Sequence, residues 1–130
     1  MALGQPKIEY KSNSEILKMR KAGLVLAEAL DEAVAMARPG VRTEAINEVF
    51  GKVLERHNAT SNFLGYHGFP ANICASVNHE VVHGFPSDYE LKDGDVLKID
   101  GGAVVEGWHA DSARTVLVGE NIDPADQRPD

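Results

Sequence analysis

DVLKIDGGAVVEGWHADSARTVLVG, residues 95–119, decides the fold. Val96, Leu97 and Ile99 begin an extended arm that Ala103, Val104 and Val105 continue. Glu106-Gly107 supplies a turn, and Trp108 to Val118 runs back with β-branched residues near its end. This is the pattern of a β-hairpin. Each arm carries one aspartate, Asp100 and Asp111. A two-residue loop at 106–107 sets Val105 against Trp108 and Gly102 against Asp111; a four-residue loop keeps the same register. Asp100 lies two residues from Gly102, hence on the same face. The two carboxylates then become diagonal neighbours with backbones roughly 7–8 Å apart. A bulge would break this register, and Gly101-Gly102 is the place where one could form.

Two carboxylates directed at one spot beside apolar strand are costly without positive charge between them. A divalent cation answers that need, because hard cations take oxygen ligands and a carboxylate can bridge two ions. The competing reading is that Asp100 ends a strand at a turn and Asp111 caps a loop.

Outward from the hairpin, the chain has the size and composition of one ordinary globular domain: 130 residues, 43% hydrophobic and 25% charged. The net charge of −7 offers no basic stripe for displacing counterions, which argues against direct nucleic-acid binding. The single cysteine, Cys74, allows no internal disulfide and suits a reducing compartment. No run approaches the ~18 apolar residues of a membrane helix, and residues 1–13 lack the apolar core of a signal peptide. A cytoplasmic location is expected.

Residues 1–12 read as an N-terminal arm, 13–122 as helices plus antiparallel sheet, and 123–130 as the start of a helix cut short. Ser12 and Glu15 fit a capping box. Ile16, Met19, Gly23, Leu26, Leu30, Ala33 and Ala37 recur at helical spacing, which predicts a first helix from about Asn13 to Ala37, stopped by Pro39-Gly40. Thr43 is expected to cap a second helix whose buried stripe is Ile46, Val49, Phe50, Val53 and Leu54, with Asn58 as a left-handed stop. Residues 59–72 read as loop carrying the aromatics Tyr66, His67 and Phe69, which either line a pocket or simply pack. Ile73–Val77 and Val81-Val82 are strand candidates, and Asp93-Gly94 a turn. Asp123-Pro124 opens a helix that has no room to continue.

His79-Glu80-Val81-Val82-His83 matches H-E-x-x-H, the zinc-protease pattern. That pattern requires a helix. β-branched Val81 and Val82, followed by Gly84 and Pro86, disfavour one. In an extended segment the two rings would stand roughly 13 Å apart and could not share a metal. His83 is then either functional or a packed, hydrogen-bonded loop residue.

The run from Tyr66 to Gly119 closely resembles type I methionine aminopeptidase. Its marks are the Tyr66-His67-Gly68-Phe69-Pro70 loop, Ser76-Val77-Asn78 with Val82-His83-Gly84-Phe85-Pro86, and Asp93-Gly94-Asp95-Val96 leading to Asp100 and then Asp111. The helices before it resemble the same family's leading helices. The resemblance implies an α+β fold, the N-terminal half of a pita-bread fold, with two helices packed on an antiparallel sheet. It also implies two divalent metal ions (cobalt, manganese, iron or zinc), with Asp100 chelating one and Asp111 bridging both. His83 would be the catalytic histidine that contacts substrate. Tyr66, Phe69 and Cys74 would wall a methionine side-chain pocket, and Asn78 would lie where a monovalent cation meets backbone carbonyls. The implied activity is removal of initiator methionine from nascent chains in the cytoplasm, in association with ribosomes and without membrane contact. The family's other ligands, a histidine and two glutamates, belong to a second half that these residues do not match, and this predicts a chain inactive by itself. Alternatives are a catalytically incomplete half-domain serving as an interaction module, a proline-specific aminopeptidase of the same fold and, more distantly, the zincin.

Overall fold

A computed structural model describes residues 10–63, 71–78 and 84–119. Two helices, α1 (Asn13–Ala35) and α2 (Thr43–Arg56), precede four strands: β1 (Thr60–Ser61), β2 (Ile73–Val77), β3 (Val96–Val105) and β4 (Trp108–Leu117). The expected α+β architecture, helices on an antiparallel sheet, is what forms.

β3 organises the sheet. β4 pairs with it along its whole length, and β2 pairs with residues 97–101. β1, which sequence reading took as loop, pairs antiparallel with Val104 and Ala103. A strand has two edges, so β1 and β2 lie end to end along the edge opposite β4.

The hairpin register is the expected one. Val105 faces Trp108 and Gly102 faces Asp111, with no bulge between. Glu106 and Gly107 both take positive φ, at 51° and 81°, the type I′ geometry that matches the twist of paired strands. Gly101 and Gly102 therefore do not mark a bulge; they mark close approaches on opposite faces. A Cβ at Gly101 would lie 2.6 Å from the Phe50 ring, and one at Gly102 would lie 2.6 Å from the Asn62 amide nitrogen.

Alternation along β3 divides the sheet. Leu97, Ile99, Gly101, Ala103 and Val105 are buried under the helices. Lys98, Asp100, Gly102 and Val104 occupy the opposite face. Phe50, Leu30, Ile46, Ile73, Leu97 and Ile99 are among the largest fully buried side chains. Arg114 on the helical face of β4 reaches Asp31 of α1, and Arg56 and His57 reach Glu32 and Glu28 across the helix pair.

Four local expectations are corrected. Helix α1 ends at Ala35, not Ala37. Its first turns do not bury their apolar residues: Ile16 and Met19 are exposed, and the buried positions begin at Ala22 and continue through Leu26, Ala29 and Leu30. Thr43 is the first residue of α2, not its cap. The free helix amides of Thr43 and Glu44 instead donate to the carbonyls of Tyr89 and Ser87, and the Thr43 hydroxyl accepts from the Ser87 amide at 2.8 Å. The last correction is β1, described above. The capping box at Ser12 and Glu15 forms as expected, and Asn58 takes φ 54° just beyond α2.

Candidate functional site

The site face is assembled from three rows across the sheet. Cys74, Asp100 and Ala113 form one row by direct pairing. Gly102 and Asp111 form the next, and Asn62 joins it from the far edge, its amide reaching the Gly102 carbonyl at 3.4 Å. Residues in one row share a face, as do rows two residues apart. Asp100 and Asp111 therefore stand on one face as diagonal neighbours, and so does the thiol of Cys74. Asp100 is half-buried and Asp111 exposed.

The electrostatics bear the same mark. Burial pushes the Cys74 thiol pKa above its ordinary value, and the charges of Asp100 and Asp111 push it further, with Lys98 opposing them. Both carboxylates act on one sulfur, so all three groups are close. Burial and these charges favour the protonated, weakly polar thiol at neutral pH.

The donor set fits one side of a divalent-cation site. Two carboxylates, hard and negative, share a face, and beside them the Oδ1 of Asn62 is buried without a hydrogen-bond partner. Among the described residues no group of three or more His, Cys, Asp or Glu comes together as a metal site. These strands supply part of a ligand set.

Asn78 stands at the end of β2 with φ 53°. Its side chain is committed to the fold: Nδ2 donates to Asp95 Oδ1 at 2.9 Å, and Oδ1 accepts from the Val96 amide at 2.9 Å. Asp95 also accepts from the Tyr89 hydroxyl at 2.8 Å and the Lys92 amide at 2.9 Å. Burial works to raise the Asp95 pKa, but these hydrogen bonds outweigh it and hold the carboxyl below its ordinary range. The same bond, with burial, raises the Tyr89 pKa. The network fixes the turn that launches β3, and so the position of Asp100.

Tyr66, Phe69, His79 and His83 lie outside the described residues, as do Val81-Val82 and the tail from 120 onward. Sequence reading missed Asn62 and Asp95. The signal for Asn62 was present in Gly102, a glycine that makes room for it. Among the described residues no helix is long and apolar enough to cross a membrane.

Residues 17–129 match the model of metallopeptidase family M24. A methionine aminopeptidase of Clostridium perfringens is 44% identical over 120 residues, 92% of this chain and 48% of the relative. The crystal structure of methionine aminopeptidase from Rickettsia prowazekii superposes with a TM-score of 0.84 at 38% identity, covering 88% of this chain and 46% of that one. Escherichia coli aminopeptidase P superposes with a TM-score of 0.71 at 26% identity, covering 83% of this chain and 23% of that one. The chain spans about half the length of the curated relatives it matches. Its fold is that of half a pita-bread structure, as expected.

Proposed function

Since this chain belongs to metallopeptidase family M24, we propose that it contributes one half of the active site of a methionine aminopeptidase, which hydrolyses the initiator methionine from new polypeptides in the cytoplasm. The observation that carries the reading is the register that puts Gly102 opposite Asp111, and so sets Asp100 and Asp111 on one face. The higher identity to methionine aminopeptidases than to aminopeptidase P favours methionine over proline specificity.

In this reading Asp100 and Asp111 would hold the divalent ions, Asp111 as the ligand shared by both; cobalt, manganese, iron and zinc all suit such donors. When bound, the ions supply Lewis acidity to a peptide carbonyl and make a water easier to deprotonate. The protein's own groups bind and orient. Cys74, protonated and buried, walls the pocket for a thioether side chain together with Tyr66 and Phe69. His83 hydrogen-bonds the substrate near the scissile bond. The backbone carbonyls around Asn78, bent by its positive φ, suit a monovalent cation. The substrates are the N-terminal methionine segments of nascent chains, met near the ribosome, with no direct nucleic-acid or membrane contact.

A second reading, an interaction module, is favoured by the exposed apolar side chains Ile16, Leu17, Leu24 and Phe85. One experiment separates the two. Methionine release from Met-Ala-Ser is measured with manganese or cobalt for the 130-residue chain alone, and for the chain joined to the second half of the Clostridium perfringens relative. The joined protein should be active and its D111N variant inactive, while the chain alone is poorly active and self-associates in light scattering. Full activity from a monomeric chain, or from joined D111N, would refute the half-site assignment. Preference for Xaa-Pro peptides would select the proline-specific alternative.

A further inference from the structure

Asn62 lies one residue past β1, opposite Gly102. Its side chain does not turn to solvent. It crosses β3 above Gly102 and reaches β4, where Nδ2 donates to the Ala110 carbonyl at 3.4 Å. The crossing is possible because Gly102 has no side chain; a Cβ there would stand 2.6 Å from Nδ2 and 2.8 Å from Cγ of Asn62. Reversing the amide would bring Oδ1 against the Ala110 oxygen, two acceptors with no proton between them, so the amide orientation is settled by its partner. The consequence is that Oδ1 is buried and unpartnered.

Folded proteins rarely keep such an atom, since its lost hydration is not replaced. Its position supplies a reason. Ala110 immediately precedes Asp111, and Gly102 pairs directly with Asp111. The amide thus lies beside Asp111, on the face that Asp111 shares with Asp100. A neutral amide oxygen beside two carboxylates repels a bare anion and attracts a donor. The donor that two carboxylates bring with them is a hydrated cation.

We propose that Asn62 is a positioning residue of the cation site, its Oδ1 accepting a hydrogen bond from a water in the shell of the ion that Asp100 and Asp111 hold. The proposal rests on the reading of those two aspartates as ligands. Hydrogen-bonding partners behind a metal's immediate ligands tune affinity by about 10–100-fold. The orphaned oxygen is then an unmet acceptor in the metal-free protein and a met one in the loaded protein.

The test titrates manganese into the chain joined to the second half of the Clostridium perfringens relative and follows free Mn2+ by its electron paramagnetic resonance signal, for the wild type and the N62L, N62A and D111N variants. N62L is nearly isosteric and N62A leaves space, so the pair separates shape from chemistry. Both should bind manganese about tenfold more weakly, while metal-free N62L melts no lower than wild type because it buries no orphan oxygen. D111N should lose binding. If D111N loses binding but N62L and N62A bind as wild type does, the role of Asn62 is refuted and the aspartate site stands. If D111N binds as wild type, or wild type does not bind, the site reading fails and this inference with it. Weaker binding accompanied by lower melting temperatures in both Asn62 variants would also refute it, since the amide would then act by holding the fold.

Discussion

Substituting Asp95 by alanine tests whether the launch of β3 depends on one carboxylate. Asp95 is only 7% exposed and accepts three hydrogen bonds: from Asn78 Nδ2 at 2.9 Å, Tyr89 Oη at 2.8 Å and the Lys92 amide at 2.9 Å. Hydrogen bonds to a charged group contribute roughly 1.5–3 kcal/mol each, so the gross loss is on the order of 4–9 kcal/mol. Asn78 is exposed and Tyr89 half-buried, so both donors recover water in the variant. The Lys92 amide sits in an exposed turn and does the same. The net loss should be about 3 kcal/mol, a large fraction of the ~5–15 kcal/mol that holds a domain together. The dependence on pH has a definite sign. The folded carboxyl lies below its ordinary value of 3.8, so the unfolded chain takes up the proton first. The contribution is complete above that value and disappears as pH falls through the lower folded one. Urea unfolding of wild type and D95A at pH 7 should differ by the full amount, and the difference should shrink below about pH 4. A D95A chain within ~0.5 kcal/mol of wild type at pH 7, or a difference constant down to pH 2.5, would show that the network does not depend on the charge.

Other outcomes follow from the same geometry. G101A sets a Cβ 2.6 Å from the ring of fully buried Phe50, so it should lose about 2–3 kcal/mol in urea unfolding. G102A meets the Asn62 amide and the Ala110 carbonyl, at 2.6 and 3.0 Å; it should lose about 1–2 kcal/mol, largely recovered in G102A/N62A, and additive losses in that cycle would place the Asn62 side chain elsewhere. Cys74, with its pKa raised by burial and by both aspartates, should react with iodoacetamide at pH 8 more slowly than free cysteine. Neutralising the aspartates in D100N/D111N lowers that pKa and should speed alkylation; an unchanged rate would mean that the carboxylates do not face the thiol.

The sheet was readable because its information is local. Glu106-Gly107 admits two positive φ values in succession, and that alone sets every pairing out to Val96 and Leu117. The facing of Asp100 and Asp111 follows by counting. Helix positions were readable for the same reason, but their burial was not. Ile16 and Met19 continue the stripe of α1 yet are exposed, and nothing in a period of 3.6 residues says where a stripe stops being covered. Thr43 has the right chemistry for a cap; its amide and hydroxyl are instead used by Tyr89 and Ser87, partners more than forty residues away in sequence.

The glycine pair shows the same boundary between local and distant information most sharply. Adjacent glycines in a strand signal either an extra residue in the ladder or a close approach of something else, and both readings are local. Which one holds depends on Phe50, arriving from α2 on one face, and on Asn62, arriving from β1 on the other. The two glycines are neighbours in sequence but serve opposite sides of the sheet: Gly101 admits the core and Gly102 admits a polar group to the site. A single added methyl at either position therefore separates the two functions of β3. At Gly101 it should lower stability and leave the placement of the aspartates intact, and at Gly102 it should displace the Asn62 amide beside Asp111 while the helical face stays packed.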